Sequence, residues 1–168
     1  MKRRLLSIIV ILLQLLQISA AVAATQTMSA SISFETALSL TNGTNVSFGF
    51  VKASQPGVYT ISPSGAITAT NDGVALGGDT HAGSMTIVGS ETQNIDISVN
   101  HYVSNNGVTP SAATCSYNGG AAAPCALTSQ PAPGAGKPLL LGVTLTVDGT
   151  QQTGTTAAPT FDVAVTYH

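Results

Sequence analysis

From residue 25 onward, apolar side chains recur at every second position, and no helical period persists beyond the first two dozen residues. Met28, Ala30, Ile32 and Phe34 alternate with Thr27, Ser29, Ser31 and Ser33. Val46, Phe48 and Phe50 repeat the pattern, as do Ile95, Ile97 and Val99, then Leu141, Val143, Leu145 and Val147, and finally Phe161, Val163, Val165 and Tyr167. Successive side chains of a strand point to opposite faces, so this alternation describes strands buried on one side and wet on the other. Turn signals separate the runs at intervals of roughly 8–12 residues. Ser62-Pro63-Ser64-Gly65 offers a preset φ and a residue that accepts positive φ, and Asn71-Asp72-Gly73 is a hairpin signal. The expected fold is all-β, an antiparallel β-sandwich of immunoglobulin-like or pilin-like type.

The first 24 residues obey a different rule. Met1-Lys2-Arg3-Arg4 is basic, Leu5 to Ile18 is apolar apart from Ser7, Gln14 and Gln17, and Ala21-Val22-Ala23-Ala24 supplies small residues at a cleavage site. This is the layout of a cleavable signal peptide, with the cut after Ala23 or Ala24. The apolar run falls short of the roughly 20 residues that span a bilayer, and no later run reaches that length, so no integral membrane segment is expected after cleavage. The remaining chain, 25–168, is the size of one domain.

Removal of the leader takes Lys2, Arg3 and Arg4 with it. Only Lys52 and Lys137 are left against seven acids: Glu35, Asp72, Asp79, Glu91, Asp96, Asp148 and Asp162. A chain so poor in bases cannot neutralise a phosphate backbone, which argues against a nucleic-acid partner. Charged residues make up 7% of the whole sequence, far below the roughly one quarter usual in soluble domains, so hydroxyls, amides and glycines must supply the polar surface. Such a surface repels copies of itself weakly.

Cys115 and Cys125 are the only cysteines. Two cysteines in an exported chain are expected to pair, and closing so short a loop contributes about 2–3 kcal/mol. The alternative is a pair of free or redox-active thiols, which would ordinarily be spaced C-x-x-C. The pair lies in the stretch 104–138, rich in Asn, Gly, Ala and Pro, which reads as a long irregular excursion with room for one disulfide-pinned hairpin.

A search for chemistry finds little. The histidines are His81, His101 and His168. Asp79-Thr80-His81 has no further ligand at metal-binding spacing, and the other two have no partner in the sequence. No nucleophile elbow, phosphate-binding loop or zinc-protease motif is present. The chain is therefore expected to be no enzyme and to need no cofactor or metal. Both ends of the mature chain read as strands, and a terminal strand is the element most easily exchanged between subunits. The alternative is that both are ordinary strands of a self-complete domain.

Several segments carry a resemblance: Val46-Ser47-Phe48-Gly49, Tyr59-Thr60-Ile61-Ser62-Pro63-Ser64-Gly65, Ala82-Gly83-Ser84-Met85-Thr86-Ile87-Val88-Gly89, Leu141-Gly142-Val143-Thr144-Leu145-Thr146-Val147 and Phe161-Asp162-Val163-Ala164-Val165-Thr166-Tyr167. In this order they resemble an exported bacterial family of domains of unknown function, number 4402. The ending, with its penultimate aromatic, also resembles pilin subunits of the chaperone–usher and spore-coat-U-like kinds. That resemblance implies a protein of the periplasm or cell surface of a Gram-negative bacterium. It implies self-association into a fibre with help from a periplasmic chaperone. Phe161, Val163, Val165 and Tyr167 would then face the partner strand, and Met28, Ala30, Ile32 and Phe34 would form the donor strand. The competing expectation is a monomeric exported module that binds a glycan or a surface protein through the 104–138 excursion.

Overall fold

A computed structural model describes residues 24–168. The expected targeting segment, including Ala23 of the expected cleavage site, lies outside them; Ala24 is described and exposed. Twelve strands and no helix occur among the described residues. They are β1 (Ser39–Thr44), β2 (Ser47–Val51), β3 (Gly57–Ile61), β4 (Ile67–Thr70), β5 (Ala75–His81), β6 (Gly83–Val88), β7 (Ile95–Val103), β8 (Val108–Tyr117), β9 (Ala123–Pro124), β10 (Ala126–Gln130), β11 (Lys137–Val147) and β12 (Thr160–Tyr167). Every ladder between them is antiparallel.

β11 is the spine. Its first half, Lys137 to Leu141, pairs with β6, and its second half, Val143 to Val147, pairs with β3 on the same side. Its other side pairs with β8 along nearly its whole length. Leu139, Leu141 and Val143 alternate inward and are buried, as the period of two predicts. Gly142 sits where β6 gives way to β3. A Cβ there would run into the Ile61 carbonyl and come within 2.7 Å of the Thr114 hydroxyl, so only glycine lets three neighbours close on one point.

β1, β6, β11, β3 and β4 form the larger sheet, extended by β8 and β9; β10, β7 and β12 form a second, and β2 and β5 a two-stranded ribbon. The main core lies between the first two. Ile87, Leu139, Leu141, Ala113, Cys115 and Tyr117 come from the larger sheet and Ile95 and Ile97 from β7. Val99, Leu127, Val163, Val165 and Tyr167 pack against them. Tyr59, Val108 and Val147 make a smaller cluster, with Phe48 against it.

Four expectations need correction. Met28, Ala30, Ile32 and Phe34 do not form a half-buried strand: residues 24–38 carry no regular structure, and Met28, Ile32 and Phe34 are 89%, 76% and 85% exposed. Residues 24–33 belong to no sheet, and a compact unit spans Phe34–His168. The alternation records a capacity for burial, and burial requires a neighbouring strand.

The stretch 104–138 is largely sheet, with β8 as the longest partner of β11. Its pattern is hidden because Val108 and Pro110 are buried at one parity and Ala113, Cys115 and Tyr117 at the other. Ala112, at φ 45°, inserts the extra residue where the register with β11 shifts.

The Asn71-Asp72-Gly73 signal makes its turn, with Asn71 and Asp72 at φ 51° and 66° and the Gly73 amide donating to the Thr70 carbonyl at 3.0 Å, but no hairpin follows. The Val74 amide donates to the Tyr59 hydroxyl at 3.0 Å, and β5 leaves β4 to pair with β2. Finally, Phe50 does not join Phe48 inside. Gly49, at φ 65°, interrupts the alternation and Phe50 turns outward, to 71% exposure, while β5 carries the extra residues at the register shifts on either side of Phe50.

The disulfide does form, between Cys115 on β8 and Cys125, with the Cα atoms 5.0 Å apart. Cys125 stands at the step between β9 and β10. Its amide donates to the Ala113 carbonyl at 3.0 Å, and its carbonyl accepts from the Val99 amide at 3.2 Å. The chain thus changes sheets at this residue, and the disulfide pins the change.

Two outcomes are expected in denaturant unfolding. Gly142→Ala should lower stability by about 1–3 kcal/mol through overpacking, with the transition still cooperative. Replacing Cys115 and Cys125 together with alanine should cost at least about 2–3 kcal/mol, because both the loop constraint and buried sulfur are lost.

Candidate functional site

On one flank the two main sheets are joined: β8, β9, Cys125, β10 and β7 follow one another through backbone hydrogen bonds. On the opposite flank they are not. Among the described residues β1 pairs only with β6, and β12 only with β7, so each ends its sheet as an edge. An edge strand presents a row of backbone donors and acceptors that no ladder uses. Between the two edges runs an open groove of about 570 Å³, lined by Leu40, Met85, Asn100, His101, Phe161, Asp162, Val163 and Ala164. Its wall is apolar where Leu40, Met85 and Val163 meet and polar where β7 carries Asn100 and His101.

β12 is gripped by β7 at both ends. The His101 ring lies 2.9 Å from the Asp162 carboxylate, and the His168 ring 3.0 Å from the Asp96 carboxylate. Both histidines read as partnerless in the sequence, because their partners lie across the ladder. The Ser129 amide donates to Asp96 at 2.7 Å, and this bond first, then His168, holds the Asp96 carboxyl below the ordinary carboxylate range.

At the Tyr167 end, a hydroxyl network crosses between the edges. The Tyr167 hydroxyl donates to the Thr36 carbonyl and accepts from the Ser90 amide at 2.7 Å. Ser90 is almost fully buried; its hydroxyl donates to Glu35 at 2.5 Å and accepts from the amides of Thr92 and Gln93 at 3.0 and 3.1 Å. Glu35 also accepts from Thr92 and Gln93 side chains. Ser90 above all keeps the Glu35 carboxyl below its ordinary value of 4.5.

Of the residues singled out by sequence, Phe161 and Val163 line the groove, while Val163, Val165 and Tyr167 also pack on the core. Met28, Ala30, Ile32 and Phe34 lie exposed outside any sheet, and Cys115 and Cys125 sit on the closed flank, away from the groove lining. Sequence reasoning missed Leu40, Glu35 and Ser90. β1 is exposed along all six residues and shows no alternation to find. Among the described residues, no three acids, histidines or cysteines gather where they could hold a metal ion. No family model, curated protein or solved structure matches the chain.

The lowered carboxyls set a pH dependence. A carboxyl whose folded value lies below its unfolded one stabilises the fold above the unfolded value and loses that contribution as pH falls through the folded value. Thermal unfolding should therefore be flat from pH 7 to about 5 and fall below about pH 4, where Glu35 and Asp96 protonate. Asp96→Asn should flatten part of that fall, as read by calorimetry across the range.

Proposed function

We propose that this chain is an exported structural subunit of a surface fibre that assembles by β-strand exchange. The observation that carries the reading is the pairing of two unfinished features. Two edge strands, β1 and β12, flank an apolar groove, and the alternating segment Met28 to Phe34 has no strand to pair with in its own sheetless stretch. In this reading the body is an antiparallel sandwich of immunoglobulin-like or pilin-like type that lacks one strand. The corresponding segment of a second copy supplies it. Adding a strand to an open edge satisfies backbone groups along its length, and alternate side chains fill the groove.

The low charge of the surface favours close approach of copies. The disulfide is in keeping with assembly in an oxidising compartment outside the cytoplasm. The resemblance to family 4402 and to chaperone-assisted pilins leads to the same proposal, with a periplasmic chaperone occupying the groove before a neighbour does. The function needs no catalysis. The alternative, a monomeric exported module for a glycan or surface protein, loses the long loop expected to serve it, since most of 104–138 is built into sheet.

Size-exclusion chromatography with light scattering on mature protein from the periplasm tests the reading. Oligomer ladders that resist mild denaturant are expected. Val163→Asp in the groove and Ile32→Asp in the arm should each leave mostly monomer, because a carboxylate cannot be buried unpaired in an apolar groove. A wild-type chain that remains a single stable monomer at all concentrations would sink the proposal.

A further inference from the structure

Tyr167, at the end of β12, is half-buried, and its hydroxyl both donates and accepts a hydrogen bond. Its ring reaches from the end of β12 to two other places: the chain entering β1, at Thr36, and the chain leaving β6, at Ser90. Those two segments flank the β1–β6 ladder at its Ser39–Val88 end. One side chain therefore joins the two edges that bound the groove, across the gap, at one end. The remainder of the groove, from Val163 to Phe161, has no comparable crossing among the described residues.

Three further observations fit a built tie. Gly89 has no room for a side chain, since a Cβ would stand 2.7 Å from the Tyr167 hydroxyl and 2.8 Å from Leu38. Ser90, 2% exposed, has every hydrogen-bonding capacity of its hydroxyl engaged, with Glu35 on one side and its own turn on the other. Leu38 packs on the core immediately after the tied residues, while Phe34, immediately before them, is 85% exposed. The chain passes from free to anchored within four residues, at the tie.

We infer that Tyr167 is a positioning residue whose hydroxyl, through Thr36 and Ser90, holds β1 and β12 at a set separation, so that the groove is shaped before a strand arrives. This rests on the strand-exchange reading above and adds the residue that prepares the acceptor. β1 needs such help. It is exposed at every position and paired on one side only, the condition under which a strand frays locally. A frayed β1 would remove Leu40 from the groove wall. Holding it in place lowers the ordering cost that an incoming strand must meet.

The test compares mature wild-type chain with Tyr167→Phe, which keeps the ring and removes the hydroxyl, and with Val163→Asp, which spoils the groove itself. Two readouts are taken: hydrogen exchange at the Leu38 and Leu40 amides in dilute monomer, and assembly rate by light scattering. Tyr167→Phe is expected to speed exchange at both amides and slow assembly, each by about tenfold or more, as loss of the hydroxyl's two hydrogen bonds allows. Exchange and assembly both within twofold of wild type would overturn the tie. If Val163→Asp stops assembly and Tyr167→Phe does not alter it, the tie fails and the groove reading stands. If Val163→Asp assembles at the wild-type rate, the groove reading fails, and exchange at Leu38 and Leu40 still decides whether Tyr167 holds β1. Should Tyr167→Phe not fold, Glu35→Ala, at an exposed position, removes the carboxylate that holds Ser90 beside the Tyr167 hydroxyl and is judged by the same two readouts.

Discussion

The structure depends on β11 having three neighbours at once. Backbone donors and acceptors buried in a core must be paired, and β11 pairs along both of its sides, with β8 on one and with β6 and then β3 on the other. Gly142 makes the changeover possible by leaving space for the Ile61 carbonyl. Because β11 is saturated, the remaining strands must find partners elsewhere. β7 takes β10 and β12, and its face closes over Leu139, Leu141 and Cys115.

From that arrangement the two flanks acquire different characters. On one, Cys125 hydrogen-bonds to both sheets and is tethered covalently to Cys115, so the flank is sealed by backbone and sulfur together. On the other, no ladder joins β1 to β12 among the described residues, and the Tyr167 hydroxyl at the end of β12 bonds the chain entering β1 at Thr36 and the chain leaving β6 at Ser90. An antiparallel body with one sealed and one open flank is the physical basis of the proposed strand exchange. The sealed flank gives rigidity, and the open flank offers unpaired backbone beside apolar side chains.

Much of the fold was legible in the sequence where strands are long and one parity is apolar throughout. β7, β11 and β12 fall where Ile95–Val99, Leu141–Val147 and Phe161–Tyr167 alternate, because half-burial and period two are the same fact seen twice. β8 was not legible. Its buried residues are small, and the bulge at Ala112 exchanges the parity midway. Phe50 misled because Gly49, at positive φ, interrupts the alternation just before it. Phe161 and Val163 were legible as a strand face, but Leu40, which completes the groove, sits on a strand with no apolar alternation at all.

By itself the sequence determined the all-β class of the fold and the pairing of its two cysteines, since these follow from local periodicity and a count. Tertiary structure alone decided which edges stay unpaired, that the Asn71-Asp72-Gly73 turn parts two sheets, and that Tyr167, Ser90 and Glu35 meet. The reason is distance along the chain. Alternation is written in neighbouring residues, whereas an open edge is defined by the strand that is missing beside it, and Tyr167 finds Thr36 across 131 positions of sequence.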